Sequence, residues 1–490
     1  MVARAIPLAL SGRRLLAGRI PMLCLTAALF ALYAGYALAR QAGYLTAGYD
    51  LGIFDQAVRN YAHLGAPLVP LKGNGYNIFA DHFHPIIAVA APFYWIWNSP
   101  DVLLVGQAAL IAASVPFVHA FAARRMSGRA ALVVAAGYGC GWAIQAMVDF
   151  DFHEIAYGLP LLAAAIDALD RDDDRVLLIA AGLLLLVRED MGVLLLMLGL
   201  LRLVRRGRPR YAGWLLVGAG VLGYLVVTSW VIPAFAQNGR FAYWTFDALG
   251  PDLPHAVGNI LTHPVHAVRL FFTPSVKAQT MAFLFVPLAF LPLRSRYCLI
   301  ALPLLAERFF NSRDMVWTTH YHYNALPWLV LVLAMVDGGQ RLGVWSRPRL
   351  RAAMLAYLIA VPIALTVHDP VTPAVFHRML TGEAFAVNQH LRDQRAAVAQ
   401  VPAGICVSVD DRLAPQLTNR DRVTLPGIPT PRTDYLVLDL SQQQVGFQLA
   451  APGVVLTQAR AAGFVTVFQQ GQLIVLRSPS YTGPTAGCRR

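Results

Sequence analysis

The stretch Tyr49–Pro85 opens with Y-D-L-G-I-F-D-Q (Tyr49–Gln56) and closes with A-D-H-F-H-P (Ala80–Pro85). Between them lies K-G-N-G-Y-N (Lys72–Asn77). Asp50, Asp55, Asp81, His82 and His84 stand here in a chain that is otherwise mostly apolar. The stretch follows directly on the first long apolar run, Ile20–Ala39, which has about the twenty residues that a bilayer-crossing helix needs. It therefore reads as a polar loop after a first span, held at one membrane face by everything downstream.

Composition supports that reading. Of 490 residues, 57% are hydrophobic and 14% charged, with a mean hydropathy of +0.52. A soluble domain carries about 25% charged residues, so the chain reads as a multi-spanning membrane protein. The net charge of +13 comes from arginines in short loops between apolar runs, as the positive-inside rule requires. Nucleic acid is not an expected partner; the bilayer is. Arg13, Arg14 and Arg19 precede the first run, which ends Ala-Leu-Ala like a signal peptide, but its length favours an uncleaved anchor. The five cysteines, Cys24, Cys140, Cys298, Cys406 and Cys488, form no C-x-x-C pair. No disulfide framework is expected, and Cys406 and Cys488 pair only if the tail reaches back.

The expected fold is an all-α polytopic membrane protein of about eleven transmembrane helices with a small C-terminal α/β extracytoplasmic domain. Spans are expected at about 20–39, 101–121, 130–147, 155–169, 176–187, 191–204, 211–234, 280–293, 297–310, 325–337 and 352–367. With the N-terminus cytoplasmic, outer loops fall at 40–100 and 237–279. Leu51–His63 reads as a short amphipathic helix, and His84–Trp97 as a helix lying at the interface, since it ends in Tyr94, Trp95 and Trp97. The transmembrane domain then covers 1–370 and the extracytoplasmic domain 371–490. In the latter, Val407–Val409, Val423–Leu425, Tyr435–Leu440, Val465–Phe468 and Leu473–Leu476 read as strands, with helices at about 377–399 and 454–462.

This topology puts the inner loops in arginine and the outer ends in clusters of Asp, Glu and His. Ionisable groups at membrane depth are costly and usually face a cavity, so these islands are expected to converge on one site. Asp50 either caps the following helix or serves as a general base. Asp81, His82 and His84 are ligand types for a divalent metal ion, though H-x-H is equally the pattern of interfacial histidines. Asp149, Asp151 and His153 alternate, and with Glu154 can bind a cation or donate hydrogen bonds. Arg188, beside Glu189 and Asp190, suits bidentate phosphate binding or a buried ion pair. His320 and His322, next to Tyr323, suit phosphate or sugar contact, or an interfacial aromatic belt.

Taken together, Y-D-L-G-I-F-D-Q, A-D-H-F-H-P, F-D-F-H-E (Phe150–Glu154), R-E-D (Arg188–Asp190) and H-Y-H-Y (His320–Tyr323) resemble the bacterial membrane-protein family catalogued as domain of unknown function 2079. More widely, the chain is similar to the GT-C glycosyltransferases, multi-span enzymes that take sugar from a polyprenyl-phosphate donor at the outer membrane face. In that superfamily the first outer loop carries a catalytic acid and two helices lying along the membrane. Asp50 matches the acid by placement and 84–97 the second such helix, while Asp149 and Asp151 match a second acidic motif. Asp50 departs from the pattern in lacking an acidic neighbour, since Tyr49 and Leu51 flank it.

The resemblance implies transfer of a sugar from a polyprenyl-phosphate donor to an unknown acceptor at the outer face of the inner membrane. Asp50 is then the base, with Asp55 and Asp81 shaping the site. Arg188, Glu189, Asp190, His320, His322 and Tyr323 then surround the donor, with His82, His84, Asp149, Asp151, His153 and Glu154 supporting them. A lipid or solute transporter and a non-catalytic assembly factor are the alternatives. No inverted repeat, of the kind transporters often show, is evident.

Overall fold

A computed structural model describes residues 8–207, 209–368, 375–441 and 450–488. The expected domain boundary at 370/371 and the exit at Asp369-Pro370 lie outside the described residues, as do Arg208 and the first residues of the N-terminus. The molecule is mostly helical with a small sheet near its C-terminus.

Twenty α-helices follow one another among the described residues. The first part holds α1 (Leu8–Ala42), α2 (Ile53–Ala62), α3 (Ala91–Tyr94), α4 (Asp101–Ala123), α5 (Gly128–Gly139), α6 (Trp142–Val148) and α7 (Ile155–Arg171). Next come α8 (Asp174–Leu184), α9 (Met191–Leu203), α10 (Tyr211–Val226), α11 (Ile232–Phe235), α12 (Leu253–Thr262), α13 (Pro264–Phe272) and α14 (Ser275–Phe285). The rest are α15 (Ala301–Phe309), α16 (Ala325–Arg341), α17 (Pro348–His368), α18 (Val375–Leu380), α19 (Gln389–Ala399) and α20 (Pro452–Ala461). Three described helices are long and apolar enough to cross a bilayer unaided: Arg19–Ala42, Asp101–Ala123 and Tyr211–Phe235. The pair α5–α6, bent by 46°, is a fourth if it counts as one span.

Helix α16 is apolar on every side, and Ala325–Gly339 are all buried. Such a helix belongs at the centre of a bundle. Its Trp328 donates to the Tyr138 carbonyl at 3.2 Å, and its Asp337 accepts from Ser295 at 2.7 Å. The run expected as one span at 280–293 is not one helix. Helix α14 stops at Phe285, and 3-10 turns follow at Val286–Leu288 and Leu291–Arg294. Pro287 and Pro292 supply no N–H for a helix ladder, and Ala289 and Phe290 take left-handed φ values of 50° and 54°. The segment 84–97 is a 3-10 turn (Pro85–Ala90) leading into α3. It leaves Val89, Phe93, Trp95, Ile96 and Trp97 exposed, a surface suited to a membrane interface.

The C-terminal strands are β1 (Cys406–Val409), β2 (Arg422–Thr424), β3 (Tyr435–Asp439), β4 (Val465–Gln470) and β5 (Leu473–Arg477), in the order β2-β1-β3-β5-β4. The first three are parallel and the last two join antiparallel. The helix expected over 377–399 is two, α18 and α19, parted near Gly382 at φ 78°. The tail does reach back: Cys406 and Cys488 form a disulfide, against the expectation of none. Linear spacing of the cysteines carries no information on that closure.

Helices α9 and α10 pack through glycines on both sides. A Cβ at Gly220 would sit 2.9 Å from the Leu196 nitrogen, and one at Gly199 would sit 2.8 Å from the Gly213 carbonyl. Small residues let membrane helices approach this closely. Gly220→Val is therefore expected to lower thermal stability by about 1–3 kcal/mol, read as a lowered melting midpoint of the purified protein in detergent. An unchanged midpoint would refute close α9–α10 packing.

Candidate functional site

Chain reversals at the ends of α1, α6, α8 and α15 bring the polar islands to one cavity of about 1570 Å³. Asp50, Asp81, His82, His84, Asp149, Asp151, His153, Glu154, Arg188, Glu189, Asp190, His320, His322 and Tyr323 all line it. Asp55 does not. It is fully buried in the first turn of α2, where it takes the Arg59 guanidinium at 2.9 Å and the Tyr94 hydroxyl at 2.8 Å. Its place is structural, and the i,i+4 spacing of Asp55 and Arg59 was the available signal.

Asp50 does not cap a helix. It sits inside a π-helical turn, Gly48–Gly52, that runs straight into α2, and the N-cap position of α2 is Gly52. Insertions of this kind recur at functional sites. The Asp50 carboxylate makes no hydrogen bond among the described residues. Its one basic neighbour within 4 Å among the described residues is His153, whose Nε2 lies 3.7 Å away, and its side chain keeps 29% exposure. Burial, and then the negative charges of Asp151 and Asp411, push its carboxyl well above the ordinary value, with Lys72 and Arg40 pulling back.

The other carboxylates are occupied. Asp151 takes Arg40 at 2.9 Å and the Ala47 N–H at 2.6 Å. Asp149 takes Arg378 at 2.6 Å and the Tyr36 hydroxyl. Asp81 is held by Lys72 and the Tyr243 hydroxyl. Glu189 takes His82 at 2.6 Å and the Phe83 N–H at 3.1 Å, while Tyr243 stacks on the His82 ring at 4.2 Å.

Arg188 is ringed by Asp190 at 2.7 Å, Glu307 at 3.4 Å and Glu154 at 3.8 Å. Its charge is already outnumbered. Arg308 instead reaches the Val316 carbonyl at 2.9 Å and the Asn324 side chain, and neither it nor Arg313 forms an ion pair among the described residues. The histidines divide by environment. Burial drives His84 and His153 down to about 3 and His322 well below its ordinary value, so these rings are neutral. His153 and His322 stack at 3.9 Å, which two charged rings would resist. His320 lines the cavity with its side chain exposed.

The cavity has two kinds of wall. Beside the polar groups, the lining includes Val193 and Leu196 of α9, Val221 and Leu225 of α10, and Val257 and Ile260 of α12. The residues expected to ligate a metal do not converge as a ligand set. Among the described residues, the single cluster with metal-like spacing is Cys406, Asp434 and Cys488, whose two sulfurs are bonded to each other.

Lining residues that escaped sequence reading include Arg40, Lys72, Tyr243, Glu307, Asp411 and Arg412. Two left a trace. Lys72 is one of two lysines in the chain, and Glu307 is an acid within an apolar run. Asp411 and Arg412 left none.

This is a mostly helical fold with a small sheet and a cavity lined by both charged and apolar groups. The chain belongs to the family described as a predicted membrane protein (DUF2079), which it matches over residues 42–459. Among solved structures it is similar to ArnT from Cupriavidus metallidurans bound to undecaprenyl phosphate. The TM-score is 0.52 at 14% identity, over 94% of this chain and 99% of that one. No curated protein matches the sequence.

His82 supplies a pH test. Burial opposes its charge, but the Glu189 carboxylate overrides burial and holds the ring at about 9. A histidine raised from about 6.5 stabilises the fold fully below that value, and the contribution is lost as pH rises through about 9. The melting midpoint is expected to fall across that window in the wild type, with the His82-linked part of the fall absent in Glu189→Gln. Equal pH profiles for the two proteins would rule out the pair.

Proposed function

We propose that this protein is a glycosyltransferase that moves a sugar from a polyprenyl-phosphate donor to an acceptor hydroxyl at the outer face of the bacterial inner membrane. The observation that carries the reading is Asp50: the one carboxylate on the cavity wall, among the described residues, with neither a hydrogen bond nor a cation within 4 Å, in a cavity that also has an apolar lining. A general base needs an oxygen free to receive a proton and a raised pKa, and Asp50 has both.

In this reading the polyprenyl chain lies along the apolar wall of α9, α10 and α12, and its phosphate sits at the charged floor. The acceptor oxygen attacks the anomeric carbon, the bond from that carbon to the phosphate oxygen breaks, and Asp50 takes the acceptor proton. Neutral His153 lies beside the Asp50 carboxylate, 3.7 Å away. Arg188, kept in place by Asp190, Glu307 and Glu154, faces the leaving phosphate with Glu189, His320, His322 and Tyr323 around the donor. Arg313, without an ion pair, adds charge there. Asp81, locked to Lys72, shapes the floor. Supporting the lipid donor, the similar ArnT structure holds undecaprenyl phosphate.

Membrane sidedness is part of the proposal. The opposite end of the bundle gathers Arg124 and Arg125 around Asp170, as expected of a cytoplasmic face. The Cys406–Cys488 disulfide suits an oxidising compartment on the cavity side. On this view residues 371–490 form an extracytoplasmic domain.

The test is transfer from a panel of undecaprenyl-phosphate-linked sugars by the reconstituted protein, with envelope glycolipids compared with and without the gene. Asp50→Asn is expected to lower transfer by about 10²–10⁴-fold. Wild-type activity should fall as pH drops, along a limb lying above the ordinary carboxylate value of about 4. Wild-type rates in Asp50→Asn, or an unchanged glycolipid profile, would count against the reading.

A further inference from the structure

The turn that carries Asp50 lacks a cap of its own. Its N-cap residue, Ala47, has no side-chain acceptor to offer. The first N–H groups of a helical turn need external partners, and two distant carboxylates supply them. Asp151 takes the Ala47 N–H at 2.6 Å. Asp411, which starts the turn after β1 and lies 362 residues further along the chain, takes the Tyr49 N–H at 2.7 Å. Asp411 is itself 7% exposed, and its second carboxylate oxygen is buried without a hydrogen-bond partner.

Packing reinforces the contact. A Cβ at Gly48 would meet the Ala414 Cβ at 2.6 Å and the Asp411 carbonyl at 3.2 Å, so the turn and the C-terminal region touch at backbone distance. Arg412 donates to the Leu45 carbonyl at 3.3 Å and Gln416 to the Gln41 carbonyl at 3.0 Å. Beyond the turn, Gln56 donates to the Val423 carbonyl at 2.9 Å. The chain on both sides of Asp50 is thus tied to the sheet region. Asp411 and Arg412 also line the cavity.

We propose that Asp411 is the positioning residue for Asp50: by capping the Gly48–Gly52 turn it aims the catalytic carboxylate, and the C-terminal α/β region is a working part of the site. The proposal rests on the glycosyltransferase reading. A displacement of about 1 Å at a reacting group costs about 100-fold in rate, so loss of the cap acts on turnover and leaves donor affinity nearly alone. Charge gives a second signature. Asp50 faces Asp151, Asp411, Lys72, Arg40 and His153. Removing one of the two negative neighbours while keeping an acceptor oxygen lowers the pH at which Asp50 ionises.

The experiment compares the full-length wild type, Asp411→Ala and Asp411→Asn in lipid nanodiscs. It measures turnover of whichever undecaprenyl-phosphate-linked sugar the wild type accepts, and amide hydrogen exchange over residues 47–52. Asp411→Ala is expected to lose about 100-fold in kcat with little change in KM, and to exchange faster at Tyr49. Asp411→Asn should recover most of the kcat and the protection, with its acid limb moved to lower pH. Full kcat in Asp411→Ala, unchanged protection at Tyr49, or an Asn variant as impaired as the Ala variant would overturn the proposal. Should Asp411→Ala fail to fold, Gly48→Ala pushes the turn away from Ala414 and Asp411, and full kcat with unchanged protection at Tyr49 there is equally fatal. If the wild type turns over no donor, the glycosyltransferase reading fails, and the exchange at Tyr49 still decides whether Asp411 holds the turn.

Discussion

A charge in a protein interior or at membrane depth must be matched or it will not stay ionised, and among the described residues the carboxylates of the cavity wall obey this with one exception. Each carboxylate other than Asp50 has a cation or a backbone N–H against it. The matches join segments far apart in sequence. Asp151 ties the end of α1 to residue 47. Glu189 ties the α8–α9 turn to His82 and Phe83. Asp149 ties α6 to Tyr36 and Arg378. The site is built from pairings that also close the bundle, so its geometry and its stability have one origin.

Asp50 can remain unmatched because its surroundings divide the work. Its negative neighbours raise its affinity for a proton, while Lys72 and Arg40 limit how far. The turn that carries it is held by other carboxylates, so Asp50 need not spend its own oxygens on local structure. Apolar residues of α9, α10 and α12 line the same cavity. Close glycine packing sets the α9–α10 part of that wall. One cavity thereby offers room for a lipid chain beside charged groups.

Much of the fold was legible residue by residue. Apolar runs mark the helices from α4 to α11 and from α15 to α17 to within a few residues, because burial in a bundle or bilayer demands continuous apolar surface. All five strands stand out as short β-branched or aliphatic runs between polar turns. The split near Phe285 was visible in principle in Pro287 and Pro292. Asp55 drew attention as an acid in a greasy chain, although its pairing with Arg59 four residues on gave the structural alternative. Glu307 hid inside a run read only for its hydropathy.

The sequence by itself determined that this is a membrane protein, where most of its apolar helices and all five strands lie, and which polar islands are too costly to be incidental. These follow from composition and short-range periodicity, which act over a few residues. Only the tertiary structure decided that Asp50 is unpaired among the described residues and Asp55 locked, that burial holds His84, His153 and His322 neutral while Glu189 favours the charged form of His82, that Cys406 meets Cys488, and that Asp411 caps a turn hundreds of residues away. Each of these is a distance between side chains on separate elements. A partner's identity, and the dielectric that sets a charge, exist only once the elements have packed.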